Sequence, residues 1–197
     1  MHSFLGKYPA SRGLNNNNPG NLRLTLIEWN GKIPNSQNTD KVFEQFSSVE
    51  FGLRALFTDV INDVANKGQN TIYKLLHAYA PTNENATDKY IAFVAAETDS
   101  DPHEPIILTQ AKITDIVKAI VKQEIGTTAA ANITNQMYST AFSMLADSTK
   151  ARLNSQQAEP TIAPLHLSQQ AASQNPIKTI IILIVATIVS TLFLRYI

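Results

Sequence analysis

Residues 179–194 read TIIILIVATIVSTLFL, a run without a single charge, flanked by Lys178 and Arg195. With Ile177 and the terminal Tyr196-Ile197, it reaches the length of about 20 residues needed to cross a bilayer, and both basic side chains can snorkel at its ends. A buried core helix is the alternative, but a core helix is seldom apolar all round. The expectation is a C-terminal transmembrane helix over 177–197, with its orientation open because one basic residue on each side gives no asymmetry. The preceding stretch, 151–176, is rich in Gln, Ser, Ala and Pro and keeps no hydrophobic period. It reads as a flexible polar linker. The chemistry must then lie in a first domain, 1–150.

Charge and composition narrow what that domain does. The chain carries 16 basic and 16 acidic residues and no cysteine. The balance argues against a nucleic-acid partner, which would call for a basic excess. The absence of cysteine excludes disulfides and thiolate metal sites. His2, His77, His103 and His166 show no ligand spacing, so neither a metal nor a cofactor is expected. The opening MHSFLGKYPASRG lacks the apolar core of a secretory signal, so export by a cleaved leader is not expected.

Periodicity predicts a mainly helical domain with a small β-hairpin. Residues 22–29 suit a short hairpin, with Asn30-Gly31 as a turn signal. Ser47 and Glu50 have capping-box spacing, followed by the apolar face Phe51, Leu53, Leu56, Phe57, Val60 and Ile61, which ends near Lys67-Gly68. Further helices are expected over 71–80, 88–96, 109–124 and 130–145, with a proline-bearing loop at 97–108.

Three constellations carry candidate chemistry. In Arg12-Gly13-Leu14-Asn15-Asn16-Asn17-Asn18-Pro19-Gly20-Asn21, the Asn side chains can brace turns or present amides to sugar hydroxyls. In 109–124, Ile113, Ile116, Val117, Ile120 and Val121 mark one buried face. At about 100° per residue, Glu124 returns to the azimuth of Ile113, on that face and in the last turn before Gly126. Apolar surroundings and the negative end of the helix dipole both disfavour its charge, as a general acid requires. The plain alternative is a frayed helix end with Glu124 in water. The third constellation is 79–90, where Tyr79 and Tyr90 flank a polar loop. With Trp29, they could stack on sugar rings or simply pack half-buried.

Arg12-Gly13, the run Asn16-Asn17-Asn18-Pro19-Gly20-Asn21 and Arg23 resemble the RG-x-x-NNNPGN-x-R signature of phage virion proteins classed as peptidoglycan lytic transglycosylases. Trp29, Gly31, Phe43, Phe46, Ser48, Gly52, Arg54, Ala55, Thr71-Ile72, Ala80-Pro81, Tyr90-Ile91 and the close at Ala119-Ile120 to Glu124-x-Gly126 continue the resemblance in order. It spans about residues 12–126, and departs from the family at Gln123, often His, and Ile125, usually Asn. A looser similarity links the stretch from Asn18 through Phe43-Glu44-Gln45-Phe46 to flagellar-type N-acetylglucosaminidases. Their catalytic Glu precedes that stretch, whereas Glu124 follows it here. The resemblance therefore implies a lysozyme-like α+β fold, circularly permuted, with Glu124 as the catalytic acid.

It further implies peptidoglycan glycan strands as substrate, with Asn18, Asn21, Trp29, Tyr79 and Tyr90 as substrate-binding residues. Other virion proteins, and a lipid membrane through 177–197, are the implied partners. The implied location is the virion membrane, for action at entry, with the host inner membrane at exit as the alternative. A hydrolase needs a second carboxyl group, for which Asp40, Glu44, Glu50 and Asp88 are the candidates. A transglycosylase needs one acid, since a substrate hydroxyl attacks in place of water. The competing class is a non-catalytic structural protein of the virion that binds glycan or capsid partners.

Overall fold

Ser48, Thr71, Thr109 and Thr134 each stand just before a helix, and each side chain accepts a backbone N–H of the first turn. Such caps satisfy donors that the helix cannot pair internally and contribute about 1 kcal/mol each. A computed structural model describes residues 1–80 and 86–153, all within a unit running Met1–Glu159. The helices are α1 (Arg12–Asn15), α2 (Val49–Asn66), α3 (Ile72–Tyr79), α4 (Thr87–Glu97), α5 (Gln110–Ile125), α6 (Thr127–Ala130), α7 (Asn135–Ser143) and α8 (Asp147–Lys150). The long helix α2 packs on α5 and α7, while α5 also packs on α4 and α6.

The predicted face of α5 is the buried one: Ile113, Ile116, Val117, Ile120 and Val121 are all inaccessible to solvent. Burying each contributes about 1.5–3 kcal/mol. They meet Leu53, Leu56, Phe57, Val60 and Ile61 of α2 in a single core. Phe57 closes that core edge-to-face on Phe142 of α7, with ring centroids 5.5 Å apart.

The α+β expectation, lysozyme-like with a hairpin, gives way to helices without any strand among the described residues. Arg23 and Phe43, and Lys32 and Phe46, form isolated antiparallel bridges only. Residues 22–29 do not fold back on themselves: Leu24 N–H donates to Val42 O and Glu44 N–H to Leu22 O. The pairing stops there because other groups take the neighbouring backbone atoms. Thr25 N–H donates to the Glu44 carboxylate, and Phe46 N–H to Asn16 O. The Asn30-Gly31 signal does mark a turn, closed by Lys32 N–H to Trp29 O with Gly31 at φ 73°.

The first long helix is capped by Ser48 rather than by a Ser47–Glu50 box, because Glu50 turns back to accept from the amide and ring of His2. The helix expected over 130–145 is broken into α6 and α7 by the turn at 131–133. No helix among the described residues is long and apolar enough to cross a membrane. The membrane helix expected over 177–197, and the linker from residue 154 onward, lie outside the described residues, as does the loop 81–85.

The Asn run is a bracket between the N-terminal segment and residues 38–46. Asn17 donates to Phe46 O and accepts from Phe4 N–H; Asn16 donates to Asp40 and accepts from Gln45. Asn17 and Asn21 have φ of 52° and 47°, a left-handed geometry that Asn tolerates better than most residues. This bracket rests directly on α2, where a Cβ on Gly52 would stand 1.9 Å from Asn17 O. Gly52→Ala is therefore expected to lower stability by about 1–3 kcal/mol, the range for overpacking a filled site. A urea midpoint unchanged from the parent's would contradict this contact.

Candidate active site

The last turn of α5 delivers Glu124 to the wall of an open cavity of about 610 Å³. Gly126 makes that placement possible. Its φ of 79° and ψ of 153° fall in a region essentially restricted to glycine, so the chain leaves α5 sharply just past the acid. Ile125, at the position where Asn was expected, turns toward Gly13: a Cβ there would meet Ile125 Cγ2 at 2.6 Å.

Two donors hold the Glu124 carboxyl group. Asn21 Nδ2 donates to Oε2 at 2.9 Å and also reaches the Glu124 carbonyl at 3.2 Å. The Tyr90 hydroxyl donates to Oε1 at 3.0 Å. Burial pushes Glu124 above the usual carboxylate range, while the bonds from Asn21 and Tyr90 act in the opposite direction. Burial and the nearby Glu124 charge raise the Tyr90 phenol well above its ordinary value, so its proton stays in place to donate. The acid is thus held in one orientation, with burial favouring the neutral form and two donors ready to receive the charge once the proton leaves.

The sequence candidates divide. Asn21, Trp29, Tyr79, Tyr90 and Glu124 all line the cavity. Tyr90 is almost wholly buried, so it offers its hydroxyl rather than a ring face. The Tyr79 hydroxyl donates to Gly20 O, and the half-buried Trp29 shares the aromatic wall with Phe43. Asn18 does not join them. It is fully buried, its amide donates to Leu22 O and Glu44 O, and its carbonyl accepts from Leu22 N–H. It shapes the loop that carries Asn21 and has no group left for a ligand.

The four candidates for a second acid are also placed elsewhere. Asp40 takes a bidentate bond from Arg12 at 2.8 and 2.7 Å, which holds its carboxyl well below the usual range. Glu44 is buried against Lys32 and Thr25, Glu50 against His2, and Asp88 is exposed on α4. The cavity instead receives Asp59 and Asp63 from α2, followed by Lys67 at the helix end. These three stand four residues apart, one polar stripe along a helix whose other face is core. The spacing was visible in the sequence. An acidic pair one turn apart is unfavourable on a plain helix surface, and that conflict was the available signal.

No family model matches the chain. Among curated proteins it is similar to Protein P5 of Pseudoalteromonas phage PM2, 34% identical over 92 residues. That match covers 45% of this chain and 56% of the phage protein, so the chain spans about half the length of the relative it matches.

Proposed function

We propose that this chain is a component of a phage particle that cleaves the glycan strand of bacterial peptidoglycan, with Glu124 protonating the leaving glycosidic oxygen. The observation that carries the reading is the Glu124 carboxyl group, buried yet facing an open cavity and fixed by Asn21 and Tyr90. A carboxyl group whose charge is disfavoured by burial and that is aimed at a groove suits the protonation of an ether oxygen.

The groove suits a carbohydrate. Its walls mix amide, hydroxyl and charged groups with one half-buried indole, Trp29. Such a surface matches a polymer that carries hydroxyls on its edges and apolar faces on its rings. The similarity to a phage protein supports placement in a virion, where the enzyme would meet the wall at entry with other virion proteins around it. The ordered motif set from Arg12 to Gly126 supports the same substrate.

Incubation of the full chain with purified peptidoglycan tests this directly. Soluble muropeptides are expected to accumulate, with intact peptide stems and new glycan ends. Binding to the insoluble wall without any release would favour the non-catalytic structural reading instead.

A further inference from the structure

Among the described residues, Asp59 is the one acid of the cavity that no hydrogen bond or ion pair engages. It projects from the middle of α2 into the space that Glu124 faces. No described residue donates a hydrogen bond to it. Its neighbour Asp63 is engaged by Lys67, with Nζ to Oδ1 at 2.5 Å. The Tyr79 hydroxyl, which lines the same cavity, feels the charges of Glu124, Asp59 and Asp63 together, so all three carboxyl groups lie near that phenol.

From this geometry, and resting on the glycan-cleavage reading above, we infer that Asp59 is the second catalytic carboxylate, the base that activates water, and that the chain is a hydrolase. Glu124 gives its proton to the leaving oxygen as the bond from that oxygen to the anomeric carbon breaks. Water attacks the anomeric carbon and passes a proton to Asp59. The products are a free hydroxyl on one fragment and a new reducing end on the other. Proton exchange with solvent returns Asp59 to its anion and Glu124 to its acid.

The surroundings fit a base better than a nucleophile. A carboxylate that attacks carbon is usually held ionised by hydrogen-bond donors. Asp59 has none among the described residues, and burial together with the charge of Asp63, opposed by Lys67, pushes it up to about 6. It is therefore ionised near neutral pH yet basic enough to take a proton. A transglycosylase would need no such second group, because a hydroxyl of the substrate supplies the nucleophile.

The test uses the full chain and purified peptidoglycan in heavy-oxygen water, the parent beside Asp59→Asn and Asp59→Ala. The parent is expected to place heavy oxygen at the new reducing ends. Asp59→Asn should release product about 10²–10⁴ times more slowly. It should also lose the acidic limb of the pH–rate profile, because only the protonation of Glu124 then governs activity. Azide, a nucleophile that needs no base, should restore cleavage by Asp59→Ala and yield a glycosyl azide. The groups facing Asp59 (Asp63, Lys67, Tyr79 and Glu124) are unchanged in these variants.

Asp59→Asn should fold at least as well as the parent above pH 6, because it removes a buried charge. Anhydro ends from the parent, or parent-like rates and pH profile in a folded Asp59→Asn, would overturn the inference while leaving glycan cleavage in place. A parent that releases nothing overturns the glycan-cleavage reading, and the hydrolase inference with it.

Discussion

Replacing Glu124 by Gln is expected to slow glycan cleavage by about 10²–10⁴, the usual contribution of a positioned general acid. The amide keeps the shape of the acid. Its oxygen can accept from Asn21 Nδ2, and its nitrogen can donate to the Tyr90 oxygen, so both present contacts persist in altered form. What disappears is the transferable proton. The fold should not suffer. Burial raises Glu124 above its unfolded value, so the folded state binds the proton more tightly than the unfolded one. Stability then falls as pH rises from the unfolded value through the folded one, and the Gln variant escapes that loss.

Thermal melts at pH 8 should accordingly show Glu124→Gln at or above the parent. Tyr90→Phe supplies the complementary check. Removing one donor to the ionised form should raise Glu124 further and move the alkaline limb of the parent's rate profile to higher pH. Full activity in a folded Glu124→Gln protein would remove the acid from the proposed reaction.

Much of this site could be read from residue order because it sits at helix ends. Caps, period and Gly126 located α5, and the return of Glu124 to the azimuth of Ile113 depends only on helix geometry. The Asn run was legible as a braced loop, but not how the labour divides within it. Asn16 and Asn18 spend their amides on residues 22–44, Asn17 divides its own between Ser3 and Phe46, and only Asn21 reaches the acid. That division depends on which backbone groups the run meets across 20–30 residues of chain.

The hairpin failed for a related reason. Local alternation cannot show that the amide of Thr25 will be taken by a buried carboxylate. Asp59 was missed because a polar residue in an amphipathic helix ordinarily faces water. The cavity exists only once Tyr79, Tyr90 and Glu124 have been brought opposite it by α3, α4 and α5.

Lys32→Met is expected to destabilise the protein by about 3–5 kcal/mol, because it leaves a buried carboxylate without its counter-charge. The side chains of Lys32 and Glu44 are 4% and 0% exposed, with Nζ to Oε1 at 3.0 Å. Lys32 uses its three protons fully: the others go to Thr25 O at 2.7 Å and Ile27 O at 3.1 Å. Glu44 Oε1 also accepts from the amide and hydroxyl of Thr25, both at 2.9 Å, while Oε2 finds no partner among the described residues.

The ammonium ion therefore pins the whole segment whose Thr25, Ile27 and Trp29 form a cavity wall. At about 2–4 °C per kcal/mol for a chain of this size, the melting temperature should drop by about 6–20 °C. Adding Glu44→Gln removes the stranded charge yet keeps an acceptor for Thr25, so the double variant should recover most of that loss. A buried pair replaced on both sides is often nearly neutral, whereas one broken on a single side is not. The activity readout separates the pair's two roles. If the pair serves the wall as well as the fold, the recovered double variant will still show a raised KM, because the ammonium ion no longer joins the carbonyls of Thr25 and Ile27 to each other, leaving Asn35 Nδ2 on the first and the Trp29 amide on the second. A single variant that melts with the parent would mean that water already reaches Glu44 and that the pair holds nothing in place.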